Sequence, residues 1–375
     1  MKSNPLLNLS DLGQSIWLDY IDRQILQDGT LQGLIEKDQL AGLTSNPAIF
    51  EKAIAQGGAY TEAISRLQAD GASVEDMYEQ LVLSDIGLAA DAFRSVYDKT
   101  KGRDGYVSIE VSPLLARDTD ATMAEARKLW KRLSRPNIMI KVPGTREGIP
   151  AIRQLLSEGI NVNVTLLFSV GRYLEVLSAY IDALEARREK DLPLAGIASV
   201  ASFFLSRIDV KVDALLDGII SKGGTQADVA RDLRGQAAIA SAGFAYRRFT
   251  ETIEASRWQS LAASGAVTQR LLWASTGTKD PAYSDVKYVE PLIAPDTVNT
   301  LPLDTLDAYR DHGQPALSIN KAIEQASAVM HGLAELGIDM GEIDQALERE
   351  GIEKFIKPYT SLLDTFKTIG VSVHI

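Results

Sequence analysis

The sequence predicts an α/β fold, a single (β/α)8 TIM barrel with additional helices that include a C-terminal helical extension. Three observations carry this expectation. Short runs rich in Val, Ile and Leu, closed by Pro, Gly or Asn, alternate with longer amphipathic runs, the pattern of a parallel sheet covered by helices. Eight such runs can be counted, and right-handed crossovers then carry every strand in one direction and let the sheet close without edges. Polar residues share one face of several runs and stand at their C-terminal ends, where barrel enzymes keep their sites. An open doubly wound sheet is the alternative. Against it, no run leads into the Gly-x-Gly-x-x-Gly of a dinucleotide site or the Gly-Lys-Ser/Thr of a phosphate loop.

The first strand is Ser15 to Asp19, and the second is Gly42 to Asn46, closed by Pro47. A long helical region, Ser73 to Thr100, precedes the third strand, Val107 to Val111. The fourth, Ile138 to Val142, lies between Pro136 and Pro143, and a helix from Glu147 to Glu158 leads to the fifth, Asn161 to Leu166. The helix Val170 to Glu189 is followed by the sixth strand, Ile197 to Phe203. Helical stretches Ser206 to Ser221 and Thr225 to Ser264 precede the seventh, Leu271 to Thr276, and the eighth is Thr297 to Leu301. The last 55 or so residues read as helix, with Ile352, Phe355, Ile356, Tyr359, Leu362, Leu363 and Phe366 near helical period, a stripe that suits core packing across the barrel. No long Gly/Ser/Pro linker divides the chain, so residues 1–375 are read as one domain.

Composition narrows the chemistry. With 45% hydrophobic and 24% charged residues, the chain can bury a large core and is not disordered. No apolar run approaches the roughly 20 residues that span a membrane, and the polar start Met1 to Ser10 lacks a signal peptide's regions, so the expected address is cytoplasmic. Zero cysteine excludes disulfides, thiolate nucleophiles and thiolate metal sites. His312, His331 and His374 are scattered, so a metal centre would need carboxylates alone. A net charge of −11 without a basic patch argues against nucleic acid, and an anionic substrate would need its own few cations.

Polar positions on buried strands then mark a candidate site. In the fifth strand Asn161, Asn163 and Thr165 share one face while Val162, Val164 and Leu166 take the helix side; in the third, Ser108 and Glu110 oppose Val107, Ile109 and Val111. Asp19, Asn46, Ser202 and Ser275 stand near the C-terminal ends of other strands. Singly, each suits a cap, an Asx turn or strand-end backbone. Glu110 is different, because a buried carboxylate without a partner costs several kcal/mol.

Lys141 is the other anomaly, an ammonium in the apolar run Ile138-Met139-Ile140-Lys141-Val142, on the Met139 face and pointing inward. Such an amine snorkels to water, pairs with an acid, or is kept neutral as a nucleophile. With Asp19 and Glu110 around the same barrel mouth, the inventory suits carbonyl chemistry by an amine and two carboxyl groups. An unperturbed lysine holds its proton up to a pKa near 10.4, so the third reading needs an apolar wall such as Met139, and a charged Glu110 close by would oppose it.

Gly42-Leu43-Thr44-Ser45-Asn46-Pro47-Ala48-Ile49-Phe50 resembles the N-terminal signature of transaldolases. Ile138 to Ile149 is similar to the Schiff-base segment of that family, and Gly159 to Ser169 to its next strand. The length and the C-terminal helices resemble the longer bacterial form. The resemblance implies a barrel with no metal or organic cofactor. It would move a dihydroxyacetone unit from sedoheptulose 7-phosphate or fructose 6-phosphate to an aldose phosphate, in the non-oxidative pentose phosphate pathway. On this resemblance Lys141 forms the imine, Asp19 takes the donor's C4 hydroxyl proton, and Glu110 with Thr165 and a water shuttles protons. Asn46, Asn163 and Ser202 hold donor hydroxyls.

The segment Ser202-Phe203-Phe204-Leu205-Ser206-Arg207 matches the family's spacing from serine to phosphate-binding arginine. Many relatives place a second arginine just after a serine such as Ser275; here Gly277 stands at that spacing and Lys279 is the natural substitute. The partners implied are phosphorylated sugars, with neither nucleic acid nor membrane, and a homo-oligomer is compatible. Two rivals stay open. One is an aldolase that releases free dihydroxyacetone, whose small relatives usually carry Gln at the Glu110 position and Tyr at the Phe204 position. The other is a non-catalytic phosphosugar-binding barrel in which Lys141 pairs only with phosphate or Glu110.

Overall fold

A computed structural model describes residues 4–56 and 58–371; residues 1–3, 57 and 372–375, with His374 among them, lie outside the described residues. Eight parallel strands form a closed barrel: β1 Gln14–Leu18, β2 Gly42–Thr44, β3 Tyr106–Glu110, β4 Ile138–Pro143, β5 Val162–Leu167, β6 Ser199–Phe204, β7 Arg270–Ala274 and β8 Thr297–Leu301. Each strand pairs with the next in sequence, and β8 returns to β1 through Gln14↔Thr297 to Leu18↔Leu301. The predicted architecture is therefore present, with strand limits shifted by no more than a few residues.

The helices begin and end where local chemistry satisfies their free backbone groups. Ser73 caps the helix Val74–Lys99 by accepting from Asp76 N, and Ser169 caps Val170–Arg188 by accepting from Arg172 N. The stretch expected as one helix over Thr225 to Ser264 is three: Thr225–Leu233, Ala237–Glu254 and Ser256–Ala262. The first break falls at Gly235, whose φ of +66° only glycine adopts freely, and the second at Ala255, which is extended. The C-terminal region likewise divides at Gly337 (φ +76°) into Ile319–Glu335 and Met340–Val371.

One face assignment is corrected. Leu166 does not point to the helix layer, because β5 bulges between Val164 and Leu167 and Leu166 takes a φ of +60°. The extra residue restores Leu167 to the side of Val164, where both pack against Gly144, and turns Leu166 toward Gly351 of the C-terminal helix. Alternation by two cannot reveal a bulge.

The two ends of the barrel differ in kind. At the N-terminal end, Arg270 donates to Asp104 Oδ1 (2.8 Å) and Ser15 Oγ (2.8 Å), and Ser15 donates to Asp104 Oδ2, so a buried ion pair is fully engaged. At the C-terminal end the polar groups are only partly engaged, and the helix Met340–Val371 lies over that mouth through Phe355 and Gly351. No helix among the described residues is long and apolar enough to cross a membrane. Among them too, no group of three or more His, Asp or Glu side chains is arranged to hold a metal ion.

Candidate active site

Register brings the two anomalous residues together, since Glu110 of β3 is the strand partner of Lys141 on β4. Lys141 is 4% exposed, and its Nζ donates to Ser45 O at 2.9 Å. Glu110 Oε2 lies 3.6 Å from Nζ, close enough to attract but too long for a hydrogen bond. Neither Glu110 oxygen has a hydrogen-bond partner, and neither does Thr165 Oγ1 on β5. Burial pushes the Glu110 carboxyl up to about 7 against the pull of Lys141 and Arg207, with Asp19 adding a small push in the same direction.

Asp19 follows β1 directly and accepts from Thr44 Oγ1 at 2.7 Å; Thr44 Oγ1 also lies 2.8 Å from Thr300 Oγ1 on β8. Burial raises the pKa of Asp19, opposed by Lys141, the Thr44 hydroxyl, Arg207 and Lys279. Asp19, Lys141 and Thr165 line one cavity of about 180 Å³ at the C-terminal mouth. Lys141 is thus an amine beside one carboxyl whose proton affinity suits neutral pH, with a second carboxyl across the cavity.

The same cavity carries its cations on the β6 and β7 side. Arg207, in the first turn of the helix Ser206–Ile220, stacks its guanidinium 5.2 Å from the Phe204 ring and 5.7 Å from that of Phe355. Its Nη1 is buried without a partner, and burial lowers its pKa. A guanidinium with unspent donors at a helix N-terminus favours an anion. Gly277 and Lys279, which follow β7, also line the cavity, and Lys279 is exposed. Ser275 also lines the cavity; it takes φ +55° and its hydroxyl lies 2.9 Å from that of Ser206.

Ser202 reaches the cavity while donating to Asn163 Oδ1 at 2.7 Å. Asn163 is fully buried below it and donates from Nδ2 to Ser108 Oγ at 3.0 Å, so the expected lumen face exists but Asn163 does not line the cavity. Glu110 is likewise outside the lining, behind Lys141. Asn46 does line it; its Oδ1 accepts from Ile49 N at the start of the helix Pro47–Gln56, leaving Nδ2 for a ligand. Sequence reasoning missed Thr44, Thr300 and Phe355 as members of the wall. The first two fall on predicted strands, whereas Phe355 was indistinguishable from the rest of an apolar stripe.

The whole-chain comparison decides what this arrangement belongs to. The family profile described as Transaldolase/Fructose-6-phosphate aldolase matches residues 16–366. The chain belongs to that family. A protein of Trichodesmium erythraeum named Transaldolase is 49% identical over 372 residues, covering 98% of each chain. Proteins of the same name from Saccharopolyspora erythraea and Thermobifida fusca are each 47% identical, over 96% of this chain and 96% and 97% of theirs. The matched span runs from β1 to the final helix, so it includes both Lys141 and Phe355.

Proposed function

We propose that this chain, taken as one barrel domain over residues 1–375, acts as a transaldolase. It transfers a dihydroxyacetone unit from sedoheptulose 7-phosphate or fructose 6-phosphate to glyceraldehyde 3-phosphate or erythrose 4-phosphate through an imine on Lys141. The observation that carries the reading is the buried amine 3.6 Å from a carboxyl that burial has pushed to about 7.

In this mechanism the Lys141 ammonium passes a proton to Glu110 through a bridging water, which frees the nitrogen lone pair and loads the acid needed next. The amine adds to the donor ketone, forming a carbinolamine. Glu110, aided by the Thr165 hydroxyl, protonates the carbinolamine oxygen; water leaves and the iminium forms. Asp19 takes the C4 hydroxyl proton, the C3–C4 bond breaks, and its electron pair moves into the iminium to make an enamine as the first aldose departs. The enamine carbon then attacks the acceptor aldehyde, whose oxygen takes the proton back from Asp19. Hydrolysis of the new iminium returns Lys141. Asn46 and Ser202 orient donor hydroxyls, Asn163 holds Ser202 in place, and Ser275 supports the wall beside Ser206. Arg207 holds the phosphate between Phe204 and Phe355, with Lys279 as the second cation.

Transfer is tested by supplying fructose 6-phosphate with erythrose 4-phosphate and following both sedoheptulose 7-phosphate and free dihydroxyacetone. Sedoheptulose 7-phosphate is the expected product. Free dihydroxyacetone as the main product would favour the aldolase reading, and neither product would leave a phosphosugar-binding barrel.

A further inference from the structure

The described residues of the cavity wall include one large apolar ring, Phe355, that comes from outside the barrel strands and their crossovers. It is 3% exposed, and its centroid lies 5.9 Å from Lys141 Nζ and 5.7 Å from Arg207 Cζ. Its helix is held down on two sides. Glu350 pairs with Lys211 of the helix Ser206–Ile220, and Glu348 lies 3.6 Å from Arg172 of the helix Val170–Arg188. Just after these ties Gly351 meets the bulge, where a Cβ would stand 3.0 Å from Leu166 and 3.4 Å from Phe168. The ring's helix is therefore seated on the bulge, with the two ion pairs beside that contact.

A phenyl ring can neither transfer protons nor bind phosphate, and what it supplies beside a reacting amine is the exclusion of water. We infer that Phe355 sets the choice between transfer and release: by covering the Lys141 side of the cavity it keeps bulk solvent from the enamine until an aldose arrives. The inference rests on the imine reading of Lys141. The enamine carbon has two fates. Attack on an aldehyde forms a carbon–carbon bond and continues the transfer. Protonation of that carbon by solvent instead yields the dihydroxyacetone iminium; water adds to it, the C–N bond breaks, and free dihydroxyacetone and the lysine amine are released. Both fates end in hydrolysis of an iminium, so the ring need not exclude every water. It disfavours the second fate by keeping solvent protons from the carbon.

The test measures free dihydroxyacetone released per sedoheptulose 7-phosphate formed, in wild type, Phe355→Leu and Phe355→Ala. The ratio should rise several-fold in Phe355→Ala and stay near wild type in Phe355→Leu, which keeps an apolar cover. Both products come from one sample, so the ratio does not depend on how much of a variant is folded. An unchanged ratio in Phe355→Ala overturns the inference, as does an equal rise in both variants. Failure of the wild type to make any transfer product would instead bring down the reading on which the inference rests.

Discussion

At the scale of residues, two ionisable groups at the site are left incompletely paired, Arg207 and Glu110. Arg207 offers unspent donors to the cavity, so Arg207→Ala should remove a charge-assisted contact worth about 1.5–3 kcal/mol. The contact is shared by ground and transition states, so steady-state kinetics should show KM for the phosphorylated donor raised roughly ten- to hundredfold with kcat little changed. Glu110 makes a pH prediction. A carboxyl raised from its ordinary value of 4.5 to about 7 binds more protons folded than unfolded within that interval. Its contribution to stability is thus complete below about 4.5 and is lost as pH climbs through 7. Thermal melts of Glu110→Gln should lack this downward slope; parallel Tm–pH curves would contradict it. The burial of Lys141 and Glu110 was legible in the sequence because ionisable groups on apolar strands violate burial rules, whereas Asp19 taken singly also suited a cap. The layer position of Asn163 was not, because hydrogen bonds from Ser202 and to Ser108 depend on strands brought together only by closure.

At the scale of elements, the strands were readable and the long helices less so. β8 coincides with its predicted span because Pro302 and a β-branched run bound it. The two broken helices were read as continuous because apolar period persists across Gly235 and Gly337, whose left-handed backbone is what turns the chain. Helix contacts also rest on glycine where no turn is needed. Gly243 of the helix Ala237–Glu254 lies against Ala322, where a Cβ would stand 2.7 Å from its backbone. Gly243→Ala should therefore force the helix Ile319–Glu335 outward and cost about 1–3 kcal/mol, read as a lower denaturant midpoint with unchanged KM. The bulge in β5 escaped prediction for a related reason: period two describes a regular strand, and only contacts with Gly144 and Gly351 show that Leu166 and Leu167 have changed sides.

At the scale of the molecule, the barrel separates stability from chemistry by end. The N-terminal end carries Arg270, Asp104 and Ser15 in a closed buried network, and the C-terminal end carries Lys141 and Glu110 in an open one. Asp104→Ala leaves Arg270 buried without its carboxylate and should cost about 3–5 kcal/mol, seen as a large fall in Tm while KM for the donor is unchanged in the folded fraction. The closed eight-stranded order follows from the alternation of strand and helix in the sequence, whereas the stripe of the final helix suited packing across the barrel without saying which end it covers or which side chain enters the mouth. Imine formation on Lys141 is the chemistry proposed for this mouth. Borohydride reduction in the presence of fructose 6-phosphate, followed by peptide mapping, tests it most directly. A reduced sugar adduct is expected on Lys141 and absent from Lys141→Ala; a wild-type protein that catalyses transfer with Lys141 unmodified would contradict imine formation there.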